Sequence, residues 1–151
     1  MSCSLFFDVC TQKEITKPMS NCKVFEGRST FILAAKTPIV FERVKFDDCK
    51  CKISKPDDER CDYVIEPKGK GYEKLYFVEL KGGDIVKALN QLESTVRIIK
   101  PTKKFECHIV KSGGSGSVPS FNTKFQILQK KFKKIGGDVF KPHSNLHIVN
   151  I

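Results

Sequence analysis

Apolar and polar positions mark out short strands and two helices along most of this chain. Leu75-Tyr76-Phe77-Val78 is an unbroken apolar run, too short for a helix, and reads as a buried β-strand. It ends in Glu79-Leu80-Lys81. Strand alternation puts the carboxylate and the ammonium on one face and Leu80 on the other. Two charges at the end of a core strand are costly unless they are paired, solvated or used. Upstream, Ile39–Phe46 alternates apolar and charged residues over its second half, as a half-buried antiparallel strand does. Asp47-Asp48 closes it. Cys61–Glu66 reads as a further strand, with Asp62, Val64 and Glu66 on one face and Tyr63 and Ile65 on the other. Pro67-Lys68-Gly69-Lys70-Gly71 supplies the hairpin loop that follows.

Beyond Gly82-Gly83, Asp84 is placed to cap a helix. Ile85, Ala88, Leu89, Leu92, Val96 and Ile99 recur at helical spacing, and Pro101 stops the pattern. Asp84, Gln91 and Thr95 fall on one flank of that apolar stripe. Phe105–Val110 is another strand. Asn122 is placed to cap a second helix with Phe125, Leu128, Phe132 and Ile135 inward, and Gly136-Gly137 ends it. Asp138–Lys141 and Leu146–Ile151 read as short terminal strands. Val24–Gly27 and Thr30–Lys36 fit either a helix interrupted by Gly27 or two strands. The second piece is read as helix, ended by Pro38. The sum is an α/β fold in one domain, residues 1–151, with a mixed central sheet flanked by helices on both faces.

Charge adds a partner to this picture. The net charge is +10, and the stretch from Lys100 onward holds ten lysines against only Glu106 and Asp138. Such asymmetry suits a polyanion-facing surface, though a solvated lysine face has the same composition. Lys124, Lys130, Lys131, Lys133 and Lys134 cover the outer arc of the second helix and are the candidate phosphate contacts. Seven cysteines at irregular spacing suggest free thiols in a reducing compartment, and no apolar run is long enough to span a membrane. The N-terminal residues lack the pattern of a signal peptide, so the expectation is a cytoplasmic protein.

Asp62 and Glu79 lie on strands joined by a hairpin, so both acids are expected to project at similar height. Their repulsion is relieved by a divalent cation, for which the Leu80 carbonyl is a further oxygen ligand. An all-oxygen set favours Mg²⁺ or Mn²⁺ over zinc. Lys81 is then placed to act on a water or on a phosphate, Gln91 and Thr95 to orient the nucleophile or contact the backbone, and Glu66 to serve as an outer acid. A zinc reading of Cys49-x-Cys51, Cys61, Cys107-His108 and His143-x-x-x-His147 is weaker, because no C-x₂-C pair is present. The Gly-Ser stretch at 113–117 lacks the lysine of an NTP-binding loop.

The pattern Asp62, then Glu79-Leu80-Lys81, on successive strands followed by a helix, resembles the PD-(D/E)XK nuclease superfamily, with its restriction-endonuclease-like αβββαβ core over most of residues 20–111. The resemblance implies that Asp62 and Glu79 are metal ligands, Lys81 is the catalytic lysine, and Gln91 is the extra glutamine of some branches. Cys61 stands where the motif usually has proline. Many members add a glutamate from the first helix, for which Glu14, Glu26 and Glu42 are candidates. The implied activity is Mg²⁺- or Mn²⁺-dependent phosphodiester hydrolysis by a nuclease, an endonuclease on DNA rather than RNA. Two alternatives stand beside it: a non-catalytic nucleic-acid- or protein-binding module on the same fold, and a dimeric nuclease like the Holliday-junction resolvases. A homodimer or a subunit of a larger complex suits either.

Overall fold

The strand ending at Glu79 lies inside a mixed sheet whose order follows from the connections between its strands. In a computed structural model that describes residues 13–48, 58–80, 84–112 and 119–151, three consecutive strands form an antiparallel meander. They are β4 (Phe41–Lys45), β5 (Tyr63–Pro67) and β6 (Leu75–Glu79). Helix α1 (Ile85–Ile99) then carries the chain to β7 (Phe105–Lys111), parallel to β6. Helix α2 (Pro119–Lys133) carries it to β8 (Gly137–Val139), parallel to β7. The short β1 (Lys13–Ile15) pairs with β4 at the other edge, and β9 (His143–Ser144) adds to β7.

Both helices lie on one face of this sheet. Leu75, Phe77, Phe105, Cys107 and Ile109 meet Leu89, Leu92, Val96, Leu128 and Phe132 in one buried core. Phe105 sits edge-on to Phe77 at 5.6 Å and to Phe132 at 5.4 Å. Gly137 lets β8 approach it, since a Cβ there would fall 2.1 Å from Phe105 Cζ. The opposite face is covered by a three-stranded sheet, not by the helix expected there. Its strands are β2 (Met19–Glu26), β3 (Ser29–Ile39) and β10 (Leu146–Asn150), in the order β10-β3-β2. Cys22, Val24, Phe31 and Leu33 pack on Ile65, Tyr76, Val78 and Leu80 in a second core.

The stretch read as helix, Thr30–Lys36, is thus the middle of a long strand. Phe31, Leu33 and Ala35 alternate inward, a period of two that the helix-favouring Ala34-Ala35-Lys36 obscures. Gly27-Arg28 is a two-residue hairpin loop with φ +57° at Gly27, a backbone state glycine takes without strain. Pro38 lies inside β3, where the register against β2 shifts, and a bulge tolerates its missing N–H. Within residues 20–111 the order is therefore a hairpin followed by βββαβ, in place of a leading helix.

Two smaller differences follow from local chemistry. Helix α2 starts at Pro119, three residues before Asn122, because proline's fixed φ suits a first helical turn. It ends before Ile135, which is 55% exposed and does not join the apolar face. Asp84 caps α1 as expected, accepting the Lys87 N–H at 2.9 Å. Among the described residues no helix is long and apolar enough to cross a membrane.

Candidate metal-binding site

Register brings the two predicted acids together. Tyr63 pairs with Val78 across β5 and β6, so Asp62, one residue before β5, faces Glu79 at the end of β6. Each carboxylate reaches across the ladder. Glu79 Oε1 accepts the Asp62 N–H at 3.1 Å, and Asp62 Oδ2 accepts the Leu80 N–H at 2.7 Å. Both side chains are fully buried. Cys61 and Val64 both belong to the helix-side core, so the chain bends at Asp62. That bend breaks the expected shared face of Asp62, Val64 and Glu66.

The bend turns Asp62 toward two acids from other segments. Glu26 ends β2, and Asp47 lies in the single 3₁₀ turn Phe46–Asp48 that follows β4. Carboxylate oxygens of Glu26, Asp47 and Asp62 lie within 4.8 Å of one another. The turn is anchored by the Phe46 N–H, which donates to the Asp62 carbonyl at 2.8 Å, and by the fully buried Phe46 ring. Three carboxylates from three chain segments form a hard-oxygen donor set of the kind Mg²⁺ and Mn²⁺ take.

Helix α1 holds the approach to Asp62. Thr95 Oγ1 accepts the Cys61 N–H at 2.8 Å and donates to the Gln91 carbonyl at 2.7 Å. Gln91 Nε2 donates to the Arg60 carbonyl at 3.4 Å. The expected flank of α1 therefore grips the backbone at 60–61. Leu80 contributes its N–H to Asp62, and its side chain fills the second core. Lys81, Gly82-Gly83, Cys49-x-Cys51 and the stretch 113–117 lie outside the described residues.

Other expected groups are placed elsewhere. Glu66 is four residues along the strand from Asp62, roughly 13 Å at strand rise, and pairs with Lys68 and Lys103. It is no outer acid of this cluster. Of the three candidate glutamates, Glu14 makes a two-pronged pair with Arg43 and Glu42 lies 3.5 Å from Lys68, so only Glu26 reaches Asp62. The lysines are also displaced. Helix α1 leaves the acidic end of the sheet and α2 runs the same way, so Lys130, Lys131, Lys133 and Lys134 sit at the far end of the helix layer. Lys131 and Lys124 both approach Glu93 of α1, at 3.0 and 3.9 Å.

The zinc set is divided by the sheet. Cys61 and Cys107 are buried on the helix side, where burial pushes both thiols well above their usual pKa, against the thiolate that zinc requires. His108, His143 and His147 gather on the other face. The rings of His143 and His147 stack at 3.5 Å, and His108 Nε2 lies 2.9 Å from Glu106 Oε1.

Asp47 is the site residue that sequence reasoning did not single out. Its signal was the acid pair closing β4, because the pairing of Lys45 with Tyr63 sets the end of β4 beside the start of β5. Compared with known proteins, the chain matches no family model, no curated protein and no solved structure.

Proposed function

We propose that the chain is a metal-dependent nuclease that hydrolyses phosphodiester bonds, in DNA before RNA. The observation carrying this reading is the convergence of Asp62 with Glu26 and Asp47, while Glu79 braces Asp62 from the next strand. The βββαβ order, with Asp47 and Asp62 at the junction of its first and second strands and Glu79 at the end of the third beside them, supports the resemblance to the PD-(D/E)XK superfamily. A Mg²⁺ or Mn²⁺ ion held by Asp62, Glu26 and Asp47 would acidify a water and neutralise a phosphate. Glu79 keeps Asp62 in place and, on the resemblance, adds a ligand together with the Leu80 carbonyl. Lys81, two residues on from Glu79, is the amine that the resemblance assigns to the water or the scissile phosphate. Gln91 and Thr95 position the backbone that carries Asp62.

The test is cleavage of supercoiled, linear, single-stranded and four-way-junction DNA with Mg²⁺ or Mn²⁺. Activity unchanged in Glu79→Ala or Lys81→Ala sinks the assignment. One observation favours a second reading, a binding module without catalysis. Asp62 and Glu79 each accept a backbone N–H from the other strand, which a purely structural lock also does. Calorimetric titration with Mg²⁺ and Mn²⁺ separates the two, since a lock takes up no ion.

A further inference from the structure

Where the outer edge of the three-stranded sheet meets β4, a groove opens that contains a cavity of about 290 Å³. Lys23, Val24 and Phe25 of β2, Arg43 and Lys45 of β4, Tyr63 of β5 and Glu14 of β1 line it. Cys22 and Val24 turn into the core, so Lys23 and Phe25 turn out. Phe25 is 61% exposed, an unusual position for a large aromatic ring, and the Lys23 ammonium stands 5.6 Å from its centroid. Arg43 builds the wall: it donates to the Lys23 carbonyl at 3.0 Å while Glu14 holds its other edge.

The groove is joined to the acidic cluster by the chain itself. Phe25 precedes Glu26, Tyr63 follows Asp62, and Lys45 stands two residues before Asp47. Every segment that supplies an acid thus supplies the groove with an aromatic ring or a cation. Exposed rings beside cations are what hold unpaired bases and their phosphates. The volume lies at the small end of ligand-sized pockets, the scale of a single nucleotide. Lys130, Lys131, Lys133 and Lys134 lie at the far end of the helix layer, on the other face of the central sheet from the three-stranded sheet.

We infer that this groove binds a nucleotide of single-stranded or frayed nucleic acid, its base stacked on Phe25 and its phosphates met by Lys23 and Lys45, next to the acids. The inference rests on the nuclease reading and names its substrate class. The experiment is fluorescence anisotropy of the full chain, in EDTA, with single-stranded and duplex oligonucleotides of one sequence. Phe25→Ala, Phe25→Tyr and Lys23→Ala are compared with the wild type. Both side chains are exposed, and Phe25→Tyr keeps a ring. The expected result is tighter binding of the single strand. Phe25→Ala weakens it about tenfold, Phe25→Tyr preserves it, and Lys23→Ala lowers its salt dependence. Equal single-strand affinity of Phe25→Ala and wild type, or a preference for duplex, overturns the groove. Cleavage with Mg²⁺ is measured on the same proteins. A wild type that cuts, with Phe25→Ala cutting and binding equally well, overturns the groove and spares the nuclease. Phe25-dependent single-strand binding with no cleavage by the wild type supports the groove and removes the nuclease reading.

Discussion

Two buried acids bracket β5. Glu66, near its end, is enclosed by Lys68 and Lys103, one on each carboxylate oxygen. Asp62, just before its start, is gathered with Glu26 and Asp47 and faces Glu79. Burial works against the ionised form in both places. At Glu66 two ammonium groups answer that cost within the fold. At Asp62 the Leu80 N–H is one of the groups that answer it, and two further acids stand beside it. An acid placed among cations serves stability. Acids gathered together against their own repulsion are what a hard cation needs.

The contrast is broken first at the acidic end. Asp62→Asn is expected to lower Mg²⁺-dependent cleavage at least hundredfold in a plasmid-nicking assay, more than the ~10–100-fold typical of outer partners of a metal site. The same cation is expected to raise the melting temperature of the wild type by several degrees, through about 1–3 kcal/mol of binding. Asp62→Asn and Asp47→Asn should abolish that rise, and Glu66→Gln should leave it intact. If Glu66→Gln removed it too, the two ends would not differ in kind.

Next comes the paired end. Glu66→Gln is expected to cost about 2 kcal/mol, the worth of charge-assisted hydrogen bonds, read as a lower urea midpoint with or without Mg²⁺. Burial opposes ionisation of Glu66, but hydrogen bonds from Lys103 and Lys68 outweigh it and hold its carboxyl below the usual value. A lowered folded pKa stabilises above the unfolded value of about 4.3, and the gain is lost as pH falls below it. Urea melts below that pH should lose stability less steeply in Glu66→Gln than in the wild type.

A smaller effect is expected higher on the pH scale. Burial, with the charges of His143 and His108, lowers His147 to about 4. Below an unfolded value of about 6.5 the unfolded chain therefore takes up the proton first. Stability is complete above pH 6.5 and declines as pH falls toward 4. His147→Gln should flatten that window and leave the Glu66 window in place. Smallest of all, Lys131→Ala breaks an exposed pair with Glu93 and should change stability by under about 1 kcal/mol, seen in the same urea melts.

Much of this architecture was legible. The β4-β5-β6 meander, α1 with its Asp84 cap, and β7 all follow from period and punctuation: short apolar runs bounded by Gly, Pro and Asp read as strands, and one stripe at helical spacing reads as α1. The hairpin β2–β3 was not legible. Ala34-Ala35-Lys36 favours a helix, and only packing of Phe31, Leu33 and Ala35 on the central sheet selects a strand. At the site, Asp62 and Glu79 were readable because a hairpin makes their strands neighbours. Glu26 was one of three equal candidates, and its choice required knowing that β2 ends over the start of β5.

Sequence alone therefore determined the strands of the central sheet and the placing of Asp62 and Glu79 on neighbouring ones, since alternation and turns act over a few residues. Tertiary structure decided which of them meet. Docking of the second sheet on the central one brings Glu26 beside Asp62, and Phe25 into one groove with Tyr63, across more than thirty residues of chain. The crossovers through α1 and α2 send the lysines of 130–134 to the other end. Both outcomes depend on how layers bury one another, an energy summed over surfaces that no local pattern records.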